Sequence, residues 1–424
     1  MLVGAPGTFL YNLLMNRRNF LQSAGGFLLG LAGRGISPAL ATETTGGHES
    51  GAVKEISLFL GGDFMCGRGI DQVLPHPSDP VLYESDMKSA LDYVERAEQA
   101  FGPIPKPVSW DYIWGDGIEV LNAMQPDARI INLETAVTTS DEAWTGKVFH
   151  FRMHPENVPC LSAAGIDFCA QANNHALDWS YAGMEETIET LHAAGIHTAG
   201  TGPNLNAAQE PALMDLPGGQ RLKIYSVCTR GSGIRRLWAA TGEKAGVHEL
   251  FNLSPKRIAP LTDRIGKDKQ PGDIIVVSIH WGHYWNQHII KDHRAFAHQM
   301  IDAGADVIHG HSSHRIKGIE VYRNRPILYG CGNLLDDYEG LKDSYLKMHG
   351  ELALMYFVTL EAHTGTLRKL EMKPMQIRNF RLNHGSAEGA LRARNILNRE
   401  SLRFKTTVEL DKSGTLNLNW GQPA

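Results

Sequence analysis

The chain has 424 residues, 42% of them hydrophobic and 21% charged, with a formal net charge of −5. That length allows a large core and more than one domain, and the absence of a basic excess argues against nucleic-acid binding, which needs cations to meet phosphates. Five cysteines, an odd number without a Cys-x-x-Cys pair, exclude a disulfide framework.

The N-terminus reads as an export signal. Asn16-Arg17-Arg18-Asn19-Phe20-Leu21-Gln22 is a twin-arginine sequence, a glycine-rich apolar run to Ala32 follows, and Ala39-Leu40-Ala41 is a small-x-small cleavage site. The apolar run is too short to span a membrane. Together these parts predict a Tat-type signal over residues 1–41, starting at Met1 or Met15. The protein would then be periplasmic or extracellular, with no stable membrane span after cleavage. Residues 42–53 are a polar linker.

From residue 54 the pattern alternates strand and helix, the α/β signature. The strand from Glu55 to Leu60 runs into Gly61-Gly62-Asp63, with Cys66 and Arg68 in the same loop. Helices are predicted over 86–102 and 118–124. The strand Ala128–Leu133 ends on Glu134, and a carboxylate there costs free energy unless it is paired or metal-bound. The strand 166–170 delivers Asn173-Asn174-His175 and Asp178, followed by a helix to Ala194. After the strand 221–227, a glycine-rich loop from Cys228 to Val247 holds Arg230, Arg235, Arg236 and Lys244; it reads either as a basic lid over an anionic substrate or as a solvated loop.

A continuous apolar strand, Gly272–Ile279, delivers His280-Trp281-Gly282-His283. After a helix over 292–303, the strand Asp306–Ile308 stops at a cluster of His309, His311 and His314. Alternating strands over 351–361 and 366–377 form a hairpin at Thr364-Gly365. Residues 379–424 read as a C-terminal extension, a charged helix over 386–403 and a hairpin over 406–420.

Five strand ends therefore carry metal-type donors: Asp63, Glu134, Asn174 with His175, His280, and His311 with His314. At one edge of an open sheet these converge on a single crevice. Carboxylate, amide oxygen and imidazole together suit one or two ions of Mn, Fe or Zn better than Ca or Mg.

These residues also carry a resemblance. LFLGGDFMCGR, INLETAV, CAQANNHALDWSYAGM, SIHWGHYW and GADVIHGHSSHRIKGIEVYRNRPILYGCGN, in this order, resemble the CapA/PgsA family of poly-γ-glutamate capsule-biosynthesis proteins, over about residues 55 to 335. The resemblance implies a calcineurin-like metallophosphoesterase fold, a four-layer α/β/β/α sandwich, over residues 54–378. It implies metal ligation by Asp63, Glu134, Asn174, His280, His311 and His314, with Glu134 where the wider superfamily has a bridging Asp. One ion would take Glu134, Asn174, His280 and His311, and a second Asp63, Glu134 and His314. His175 would be the general acid or would orient the substrate.

Two departures stand out. Met65 occupies the place of a ligand histidine, and Gly310-His311-Ser312-Ser313-His314 replaces a Gly-His-His-Pro-His pattern. Asp178 is read as orienting His175 or capping the next helix. Arg68 is read as an anion clamp or a surface salt bridge, and His283 and Arg230 as substrate contacts. The function implied is that of an exported hydrolase or transferase of poly-γ-glutamate or a related anionic polymer. A phosphoesterase, or a non-catalytic partner in polymer synthesis or export, are the alternatives.

Overall fold

The computed structural model describes residues 54–282, 288–341 and 351–421. The signal and linker, His283 and Trp285 lie outside these residues. Among those described, no helix is long and apolar enough to cross a membrane.

Two large sheets organise the chain, and both are parallel at their centres. In the ten-stranded sheet Glu55–Phe64, Ala128–Leu133, Phe168–Ala170 and His197–Ala199 are successive parallel neighbours. In the seven-stranded sheet Arg221–Thr229, Ile274–His280, Val307–His311 and Arg325–Leu328 pair the same way. Parallel neighbours need a crossover, and the helices Leu91–Phe101, Gly117–Met124, Ser180–Ala193, Pro255–Asp268 and Lys291–Ala303 fall in those intervals.

The strand period of two divides the side chains between distinct cores. Leu58, Ile130 and Phe168 from one sheet share an apolar cluster with Ile224, Val276 and Val307 from the other. Phe59, Ile131 and Cys169 instead pack with Val94, Leu121 and Leu161. Val277 and Ile308 pack with Ile258, Leu261, Phe296 and Met300.

The C-terminal residues extend the first sheet. Leu352–Glu361 pairs antiparallel with Glu55–Phe64, and Leu367–Arg378 with Leu352–Glu361. Arg381–His384 and the hairpin Thr406–Leu410/Leu416–Trp420 then both pair onto Leu367–Arg378 or its neighbour. The helix between them, Ala387–Ser401, is capped by Ser386, whose Oγ accepts the Gly389 N–H at 3.0 Å.

Register brings the polar strand ends side by side. Asp63 stands opposite Asn132 and Asn333, and His280 opposite His311 and Cys228. Gly62 permits the first of these meetings. A Cβ there would lie 1.9 Å from the Gly332 carbonyl oxygen, the group that accepts the Asp63 N–H at 2.9 Å.

Candidate metal centre

Asp63 is fully buried at the end of its strand. Its Oδ1 accepts a hydrogen bond from Asn132 Nδ2 at 2.8 Å, and both its oxygens lie 3.1 Å from the Ser312 N–H. Ser312 and His314 hold φ of 90° and 52°, a region that non-glycine residues enter only when their surroundings compel it. The strained turn thus delivers a backbone donor and the His314 ring to one carboxylate. His314 Nδ1 is 3.4 Å from Asp63 Oδ2 and 2.8 Å from Asn333 Oδ1.

Glu134 is also fully buried. Its Oε1 lies 3.8 Å from His175 Nε2 and 3.9 Å from both His280 Nε2 and His314 Nε2, yet neither carboxylate oxygen accepts a hydrogen bond from any described residue. His280 Nε2 is 2.7 Å from Asn174 Oδ1, and its Nδ1 is 2.9 Å from His311 Nδ1. His311 Nε2 meets Ser278 Oγ at 2.9 Å. Two groups of donor atoms emerge within reach of a single ion: Asp63 with His280 and His311, and Asp63 with Glu134 and His314. Asp63 belongs to both groups, whereas the sequence reading assigned it to one. The reason is its position at the sheet edge, with His311 and His314 on either side of the Ser312 turn that closes over it.

The electrostatics match a cation site. Burial raises Asp63, with His314 and Ser312 opposing it, and burial and the Asp63 charge raise Glu134 well above the carboxylate range. Burial lowers His280 and His311 far below the usual imidazole value, so both are neutral, the state a ligand histidine requires. An orphaned buried carboxylate among neutral imidazoles and an amide oxygen is a donor set that fits a divalent transition metal.

The comparisons with known proteins bear on the same stretch. Residues 57–338 match the family model described as bacterial capsule synthesis protein PGA_cap. The chain belongs to the PGA_cap family. A relative named "Probable polyglutamine synthesis accessory protein" in Mycobacterium tuberculosis is 41% identical over 354 residues, 83% of this chain and 93% of the relative. The PGA biosynthesis protein CapA of Bacillus subtilis is 29% identical, covering 66% of this chain and 63% of its own length. The capsule biosynthesis protein CapA of Bacillus anthracis is 27% identical, covering 80% and 75%.

Around the PGA_cap site the remaining residues take definite places. His175 Nδ1 is 2.6 Å from Asp178 Oδ2, and its ring stacks on Phe151. Asp178 caps nothing: the helix Ser180–Ala193 has no side-chain cap, and Asp178 also accepts the Phe151 N–H at 2.7 Å. Burial lowers His175 to about 3, so it is neutral near pH 7 and accepts a proton before it can donate one. Burial alone would raise Asp178, but His175 and Lys147 outweigh it and hold the carboxyl below its ordinary value.

Arg68 is neither a free anion clamp nor a surface salt bridge. It is buried, paired with Asp337 and with Glu84 at 2.9 Å, and hydrogen-bonded to Tyr93 Oη at 2.7 Å. Arg230 is likewise committed, with a two-pronged bond to Glu249 at 2.6 and 2.8 Å. His309 is a strand residue whose Nε2 meets the Gly61 carbonyl at 2.8 Å, and Trp281 is core. All five cysteines are free and buried, and burial pushes the Cys66 thiol up to about 12, which leaves it unreactive.

Sequence reasoning missed Lys147. Its ammonium is paired with Asp178 and lies 3.1 Å from His175 Nδ1. It sits in the loop between Val137 and Arg152, where no periodic pattern marks it. Asn173 was also overlooked as an organiser: its side chain donates to the Leu133 carbonyl at 2.8 Å and accepts the His175 N–H at 3.0 Å.

Proposed function

We propose that this PGA_cap protein is an exported, metal-dependent hydrolase or transferase acting on poly-γ-glutamate or a related amide-linked envelope polymer. The observation that carries this reading is Glu134, a fully buried carboxylate with both oxygens unpartnered, facing Asp63 and three histidines. A buried carboxyl without a hydrogen-bond partner costs free energy, and a cation held between it, Asp63 and the histidines would offset that cost.

The residues that would hold one or two ions of Mn, Fe or Zn are Asp63, Glu134, Asn174, His280, His311 and His314. When bound, such an ion supplies Lewis acidity to a carbonyl or phosphoryl oxygen and acidifies water. The protein groups then divide the remaining work. Asp178 accepts the Nδ1 proton of His175 and leaves the Nε2 lone pair towards Glu134, where it can take a proton and return it to a leaving amine. Phe151 and Asp178 hold the ring in that plane. The shared apolar cluster between the two sheets, with helices packed on their other faces, supports a four-layer α/β/β/α arrangement of the metallophosphoesterase kind. The twin-arginine sequence and Ala39-Leu40-Ala41 support export by the Tat route.

The test is to purify the chain with Mn or Zn supplied, measure bound metal, and offer poly-γ-glutamate, phosphomonoesters and phosphodiesters to wild type, His280→Ala and Glu134→Ala. Cleavage of the polymer, lost in both variants, supports the proposal. Cleavage of esters alone makes the protein a phosphoesterase. Metal-loaded protein inert to all three makes it a binding partner, and protein with no metal overturns the reading.

A further inference from the structure

Beside His175 one wall of the site holds a buried ammonium and a buried indole N–H that has no acceptor among the described residues. The segment from Trp144 to Phe151 packs against the glycine-rich loop through a Trp144–Trp238 edge contact, ring centroids 5.4 Å apart, and through Arg235, which donates to the Gly146 carbonyl. Lys147 emerges between them, its Nζ 5.4 Å from the Trp238 ring and its side chain 11% exposed. Trp238 is fully buried, and its indole N–H finds no acceptor among the described residues. A buried donor left unmet costs stability unless a ligand or water accepts it.

Two independent features therefore coincide, a buried ammonium in contact with His175 and Asp178 and, with its ring centroid 5.4 Å from that ammonium, a Trp238 indole whose N–H has no acceptor among the described residues. The residues next in sequence, Val148, Phe149 and Leu237, are exposed, so the wall borders solvent. The rest of the loop adds Arg236 and Lys244 against one acid, Glu243.

We infer that Lys147 and Trp238 form an anion subsite beside the metal centre, which takes a carboxylate of the bound polymer. The ammonium supplies charge and the indole a neutral donor. The inference rests on the reading of this chain as a protein of glutamyl polymers and names which form it recognises. A free carboxylate on each unit is favoured, and a neutral glutamine polymer offers nothing for Lys147 to neutralise.

Binding of a short γ-glutamyl oligomer, a neutral oligoglutamine of equal length and inorganic phosphate is measured calorimetrically and by indole fluorescence on the full chain. Chelator-treated wild type, Lys147→Met, Lys147→Arg and Trp238→Phe are compared, each checked for folding by its melt. The expected result is a preference of about tenfold or more for the charged oligomer over the neutral one. That preference should be abolished in Lys147→Met, kept in Lys147→Arg, and accompanied by weaker binding in Trp238→Phe. Equal binding of the two oligomers to wild type, or an unchanged preference in Lys147→Met, overturns the inference. Phosphate binding that depends on Lys147 while neither oligomer binds overturns the assignment to a polymer. Because binding is read without metal, its failure is distinct from a failure to cleave the polymer.

Discussion

The Phe151 ring lies flat on His175, with centroids 3.9 Å apart and planes within 3° of parallel, and the Arg68 guanidinium carbon stands 4.3 Å from the same Phe151 ring. Asp178 fixes one edge of the imidazole and Phe151 one face, so the ring has little freedom before substrate arrives. Phe151→Ala should leave metal content unchanged and lower polymer turnover roughly 10- to 100-fold through misplacement of His175. Metal analysis alongside turnover checks this. A parallel loss of bound metal would show that Phe151 supports the ligands instead.

Glu134 yields a prediction of opposite sign with and without metal. Glu134→Gln removes a buried carboxyl that burial and Asp63 push well above its ordinary range and that has no hydrogen-bond partner among the described residues, so chelator-treated variant should be more stable than wild type by about 1–3 kcal/mol. Wild type should gain stability on addition of Mn or Zn, because a ligand that binds only the folded state raises the melting temperature. The variant should gain much less. Thermal melts of both proteins, with chelator and with metal, give all four values.

Arg68 should act on stability, since its guanidinium is consumed by Asp337 and Glu84 inside the protein. Arg68→Met leaves two buried carboxylates facing each other without a cation and should cost about 3–5 kcal/mol. Denaturant unfolding measures this. A variant of normal stability with weakened anion binding would restore the clamp role that the sequence suggested.

Lys317 offers a pH test. It is 1% exposed, and burial lowers its ammonium to about 8, with Glu400 opposing the shift. The unfolded chain keeps the ordinary value of 10.5, so between pH 8 and 10.5 it binds more protons than the folded chain, and stability rises with pH across that window. Below pH 8 the full cost is present. Lys317→Met should therefore be more stable than wild type by about 1–3 kcal/mol at pH 7, and the gap should close towards pH 10.5. Melting curves at a series of pH values decide it.

Much of the site was legible before folding because its donors sit at strand ends. Asp63, Glu134, His280 and His311 each end an apolar run, and a parallel sheet carries all such ends to one edge. Residues in loops carried no comparable mark. Lys147 and Trp238 meet across 91 positions of chain through a packing contact that no spacing encodes. Arg68 was misjudged because its partner Asp337 lies 269 residues away, and burial by such a partner is invisible in local composition.

The amino-acid order by itself determined the alternation of strand and helix, the donors at the strand ends and the PGA_cap resemblance, because periodicity, strand ends and short motifs are properties of neighbouring residues. Only the tertiary structure decided which donor atoms lie close enough to hold one ion together, that Asp63 stands in both groups, and that Asp178 serves His175 rather than a helix. It also decided that the C-terminal hairpin joins the main sheet. These depend on register between strands and on the closing of one turn, Ser312 to His314, over a carboxylate some 250 residues earlier in the chain.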